Sequence, residues 1–123
     1  VGPGLVVGGL GDEVAAARAV AGLLASADPP TALFTAQNLI TIGAVEALSA
    51  AQKLAAVGLV GFDDIPMAAY LAVPVTVVAQ DPSLIGRTAA ELVFGRLDGD
   101  TSEPREIVVP TTLVQRGSGE VAL

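Results

Sequence analysis

The sequence predicts an α/β domain, a largely parallel sheet flanked by helices. Three observations carry this. Short apolar runs alternate with stretches of helical character, the runs are rich in Val, Leu and Ile, and residues 57–62 contain no polar residue at all, as a strand covered on both faces requires. Parallel neighbours need a crossover, and a helix is the usual one. At 123 residues the chain has room for one small domain, burying roughly two thirds of its unfolded surface.

The elements follow in order. Residues 5–7 read as a first strand, closed by the corner Gly8-Gly9-Leu10-Gly11. That corner reads as a turn: it lacks the spacing of a dinucleotide loop, and Asp12 and Glu13 behind it would repel phosphate. Asp12 then caps a helix over 13–25, which Asp28-Pro29-Pro30 stops. Residues 32–35 form the next strand. Residues 39–51 form a helix with Ile42, Val45 and Leu48 on one stripe and Asn38 as its cap. After the strand at 57–62, Asp64 is expected to cap a short helix over 65–71, with Pro66 tolerated in its first turn, and 75–79 is a further strand. Asp81 caps and Pro82 opens a helix to Leu97. Its apolar stripe is Leu84, Ile85, Ala89, Leu92, Val93 and Leu97, beside an Arg87–Glu91 pair. Residues 107–109 and 113–114 read as short strands before a Gly/Ser-rich tail.

Composition excludes much chemistry. With no Cys and no His, the chain has no zinc site of the usual kind, no thiol nucleophile and no Ser-His-Asp triad. A net charge of −7 opposes binding to a phosphate backbone, so the chain is not expected to bind DNA by itself. Its apolar runs fall short of the ~20 residues a bilayer span needs, so no membrane partner is expected. The lack of Cys fits a reducing compartment, and a cytoplasmic location is the expectation.

In parallel sheets ligands bind outside the carboxyl ends of the strands. Those ends carry Gly8-Gly9, Ala36-Gln37-Asn38, Asp63-Asp64 and Gln80-Asp81. The two adjacent carboxylates invite a metal or acid–base reading. Neighbours on an extended chain point to opposite faces, however, so Asp64 is read as the cap and Asp63 as a hydrogen-bonding group towards a polar ligand. Gln37 points outward while Asn38 caps. Phe34 and Phe62, inside strand runs, are expected in the core.

Three segments together carry a resemblance: PTALFTAQNLITIGAVEAL at 30–48, VGFDDIPMAAYLAVPVTVVAQDPSLIGRTAAELVFGRL at 60–97 and PREIVVPTTLVQRGS at 104–118. They resemble the carboxyl-terminal part of the lactose-repressor (LacI/GalR) family of bacterial transcription regulators, over about nine tenths of the chain. The resemblance implies one lobe of a periplasmic-binding-protein-like (type I) fold, with residues 1–80 and 101–123 in the second lobe and 81–100 a crossover helix that packs on a first lobe absent here. It implies no cofactor, no metal and no catalytic residue. The implied ligand contacts are Gln37, where the family usually has Asn or Ser, with Asp63, Gln80, Asp81 and Pro82, for a sugar or related small polar effector. Asn38 replaces the family's usual Asp, which removes a negative charge near the ligand. Ile42, Val45, Ile65 and Leu71 are implied dimer contacts, and the expected assembly is a homodimer or a swapped homo-oligomer. Operator DNA would be met only through a helix-turn-helix headpiece absent from this chain. Two other readings compete: a solute-binding protein of a sugar ABC transporter, and an enzyme or receiver domain built on Asp63-Asp64. The second is weakened because no Lys stands at a later strand end.

Overall fold

The computed structural model describes residues 2–120. A 3-10 turn at Pro3–Leu5 precedes α1 (Glu13–Leu24), β1 (Ala32–Thr35), α2 (Asn38–Ala50) and β2 (Gly58–Phe62). A second 3-10 turn, Ala68–Tyr70, leads to β3 (Thr76–Ala79), α3 (Pro82–Leu97) and β4 (Thr112–Val114). The four strands form one sheet in the order β1-β2-β3-β4, with β1 parallel to β2 and β2 parallel to β3. The α/β expectation therefore holds.

The chain divides into two compact units: residues up to Ala79 together with those from Leu113, and Gln80–Thr112. In the first unit, Val20 of α1 and Ala44, Ala47 and Leu48 of α2 close over Leu59 of β2 and Val75 and Val77 at β3. Leu48, Leu59, Val75 and Val77 are fully buried, each contributing about 1.5–3 kcal/mol of apolar transfer energy. The two helices meet at small residues. A Cβ on Gly43 would collide with the Glu13 carbonyl oxygen and stand 2.7 Å from the Cβ of Ala16, so α2 approaches α1 this closely only because position 43 is glycine. Asp12 caps α1 as expected, its Oδ1 accepting from the Ala15 N–H at 2.7 Å.

The second unit contains α3, capped by Asp81, whose Oδ1 accepts from the Leu84 N–H at 2.8 Å, with Pro82 in its first turn. No residue of α3 is buried.

Four expectations need correction. Residues 5–7 form no strand: the 3-10 turn takes in Leu5, and Val6 is extended but has no ladder partner. Residues 107–109 are likewise in no strand, lying exposed or half-exposed between Pro104 and Pro110. The helix expected over 65–71 shrinks to Ala68–Tyr70, preceded by Met67 in the left-handed region. Phe34 is not core but 63% exposed: it alternates with Leu33, which packs on the core, and the buried Thr35, so its side chain stands on the opposite face of the sheet.

Candidate functional site

The first unit brings the carboxyl ends of β1 and β2 to one edge of the sheet. Thr35 is in register with Gly61, so Gln37 and Asp63 each stand two residues beyond paired strand positions. Gln37 is the N-cap of α2 by backbone alone: its carbonyl accepts from the N–H and the hydroxyl of Thr41, both at 3.0 Å, and its side chain makes no capping bond. That exposed amide can both donate and accept. Asn38 is the first residue of the helix and not its cap, its Oδ1 accepting from the N–H of Leu39 at 2.8 Å. Beneath the edge, the buried hydroxyls of Thr35 and Thr41 bond each other at 2.7 Å. Gly61 leaves room for this pair, since a Cβ there would stand 2.7 Å from Thr41 Oγ1.

Asp63 turns the chain out of β2 with φ 74, in the left-handed region that Asp tolerates better than most residues. Its N–H donates to the Val78 carbonyl at 2.9 Å, which fixes the turn to β3. Among the described residues its half-buried carboxylate accepts no hydrogen bond, so both oxygens remain available to a ligand.

Asp64 is occupied differently from its expected role. Its Oδ1 accepts from the adjacent N–H of Ile65 at 2.9 Å, and its two oxygens take a bidentate pair from Arg116 at 2.7 Å each. The Arg116 bonds hold the Asp64 carboxyl below its ordinary value, and Asp64 in turn raises that of the guanidinium. Arg116 also donates to the Val75 carbonyl at 3.1 Å, and its own N–H reaches Thr76 Oγ1 at 2.9 Å. The consecutive carboxylates thus differ in their partners: Asp64 is paired with Arg116, and Asp63 accepts no hydrogen bond among the described residues. Ser118, expected in a loose tail, is fully buried. Its Oγ donates to the Leu59 carbonyl at 2.6 Å and accepts from the Thr76 N–H at 2.8 Å, tying β2 to β3.

Gln80, Asp81 and Pro82 lie in the second unit, where one oxygen of Asp81 is engaged as the cap of α3. Of the expected dimer positions, Ile42 is exposed, Val45 and Leu71 are half-buried, and Ile65 belongs to the core. Among the described residues no three His, Cys, Asp or Glu side chains converge on a possible metal position, and no helix is long and apolar enough to cross a membrane.

The model of the periplasmic binding protein-like domain matches residues 5–119. The chain belongs to this family. It is 36% identical over 99 residues to the HTH-type transcriptional regulator CelR of Thermobifida fusca, which covers 79% of this chain and 29% of that protein. The crystal structure of a regulatory protein of LacI family from Chloroflexus aggregans superposes with a TM-score of 0.83 at 28% identity, covering 96% of this chain and 43% of that one. A LacI family transcriptional regulator from Enterococcus faecium, solved with bound ribose, gives a TM-score of 0.73 at 26% identity over 85% of this chain and 39% of its own. The chain thus spans about three tenths of the curated relative and two fifths of the solved structures. Its relatives are LacI-family regulators, not enzymes.

Proposed function

We propose that this chain is the effector-binding and dimerisation lobe of a LacI-type transcriptional regulator whose headpiece and first lobe lie outside it. The observation that carries the reading is the half-buried carboxylate of Asp63, which accepts no hydrogen bond among the described residues and stands past the end of β2 at the same carboxyl edge of a parallel sheet as Gln37 past β1. A carboxylate and an amide suit a hydroxyl-rich ligand, since the carboxylate accepts two O–H bonds and the amide adds a donor and an acceptor. The ribose-bound relative supports a sugar as the effector class. Gln80, Asp81 and Pro82, in the second unit, are proposed as further ligand-contact residues in their own right. Effector binding acts by favouring one arrangement of the two lobes over another, which alters the spacing of the headpieces on operator DNA. The solute-binding reading has less support, because the relatives of this chain are named as regulators.

Dimerisation is assigned to the exposed side of α2 around Ile42 and Val45 and to the loop carrying Leu71, where Met67 and Tyr70 add exposed apolar surface. Ile65 supports that loop from the core. The protein is placed in the cytoplasm, where an operator-binding regulator acts.

The test is calorimetric titration of the full-length protein with sugars. For the sugar that binds, Asp63→Asn should weaken affinity by about 1–3 kcal/mol, the range for losing a charge-assisted partner. Unchanged affinity would remove Asp63 from the site.

A further inference from the structure

Thr41 stands over the place where the turns carrying Gln37 and Asp63 leave the sheet. Thr35 of β1 and Gly61 of β2 are register partners, so they face the same side of the sheet, and Gln37 and Asp63 follow them by two residues each. Thr41, in the first turn of α2, is fully buried. Its hydroxyl lies 2.7 Å from the hydroxyl of Thr35 and 3.0 Å from the carbonyl oxygen of Gln37. A Cβ on Gly61 would stand 2.7 Å from Thr41 Oγ1 and 3.0 Å from its Cγ2, so glycine at 61 is what admits threonine at 41.

The direction of these hydrogen bonds follows from their chemistry. A carbonyl only accepts, so the single hydroxyl proton of Thr41 goes to Gln37, and the bond between the two threonines takes its proton from Thr35. One oriented chain results, from Thr35 through Thr41 to the Gln37 carbonyl. That carbonyl also accepts from the Thr41 N–H at 3.0 Å, so both of its lone pairs are engaged. The N–H bond alone suffices to start α2. For stability the hydroxyls are dispensable as a pair, since two apolar side chains of the same shape would fill the space at nearly equal stability. Gln37 itself has an extended backbone, with φ −160 and ψ 150, and its side chain makes no capping bond. Its peptide is therefore what sets where its amide begins.

We propose that Thr41, with Thr35 behind it, is a positioning residue for effector binding: its hydroxyl fixes the Gln37 peptide, and through it the side-chain amide, relative to the turn that carries Asp63. The proposal rests on the reading of Gln37 as a ligand contact and adds the residues that set its position. An amide already held in place loses less freedom on binding, which is how a group that never touches the ligand raises affinity.

The test is calorimetric titration of the full-length protein, with ribose and lactose as the probes. Removing one hydroxyl would strand the other, so both threonines are replaced together, as Thr35→Val/Thr41→Val, which keeps their shape. This double variant should bind on the order of 10-fold more weakly than the parent, and in a Gln37→Ala background it should make no further difference. Thr41→Ser, which keeps the hydroxyl, should bind as the parent does. A loss in Thr41→Ser as large as in the double variant would overturn the proposal. So would a weakened Gln37→Ala beside an unaffected double variant, or losses that multiply, and in both cases Gln37 keeps its place as a ligand contact. If Gln37→Ala binds as well as the parent, the reading of Gln37 fails and the proposal falls with it. Should neither sugar bind, hydrogen exchange without ligand decides. The amide of residue 41, bonded to the Gln37 carbonyl, should lose about 10-fold of its protection in the double variant, while that of Leu59, bonded to the Ser118 carbonyl at 2.7 Å, is unchanged. Equal protection at residue 41 would overturn the proposal. If Leu59 shows that the double variant has not folded, Thr35→Ala/Thr41→Ala, which adds no bulk, is measured in its place under the same outcomes.

Discussion

Asp64 and Arg116 are 52 positions apart in the chain yet meet through two bonds of 2.7 Å. Because Arg116 depresses the Asp64 carboxyl below its ordinary value of 3.8, the pair stabilises the fold above that value. The contribution is lost as pH falls through the lower, folded-state value. Asp64 is 44% exposed, so solvent screening limits the gain to about 0.5–1 kcal/mol. Asp64→Asn should be less stable than the parent by that amount in urea unfolding at neutral pH, and the gap should close once pH drops well below 3.8; a pH-independent gap would show that the ion pair is not its source. The sequence assigns Asp64 to a local cap because caps are decided within four residues. Its true partner lies on a segment that returns to the sheet much later, and no local pattern announces such a meeting. Ser118 escaped notice for the same reason: a serine near a chain end looks solvated until Leu59 and Thr76 are seen on either side of it. The strand-end position of Asp63 is legible because it follows from the apolar run just before it, not from a distant partner.

Elements differ in legibility according to how local their causes are. α1 and α3 begin where Asp12 and Asp81 accept backbone N–H bonds, and Pro29-Pro30 follows the first while Pro82 opens the second, all features written within a few residues. The runs at 5–7 and 107–109 have strand composition but no strand, since a strand exists only with a partner at its side. α3 is the opposite case, formed as expected but with part of its apolar stripe exposed. Ile85, Val93 and Leu97 are all exposed. Apolar surface of this extent drives association unless it is covered. The 123-residue chain should therefore self-associate in sedimentation equilibrium, and Val93→Glu, at a position 57% exposed, should shift it towards monomer without loss of fold. Association unchanged by Val93→Glu would move the contact to the Ile42 surface of α2.

At the scale of the whole molecule, charge decides which partner this chain can meet directly. Thirteen acidic residues oppose six basic ones, and the structure reduces the six further. Arg116 is held by Asp64, and Arg96 donates to the carbonyl of Asp100 at 2.8 Å. Nonspecific affinity for duplex DNA comes from releasing counterions as Lys and Arg neutralise phosphates, and several contacts are needed before the complex reaches even about 10⁻⁴ M. Arg18, Lys53, Arg87 and Arg105 are distributed over both units, among acidic neighbours such as Glu91 and Glu106. The 123-residue chain should accordingly leave the mobility of a random duplex unchanged at low salt, with no dependence on salt to measure. Saturable binding near 10⁻⁶ M, weakening steeply as salt is raised, would contradict this and assign a phosphate-binding surface to the chain itself.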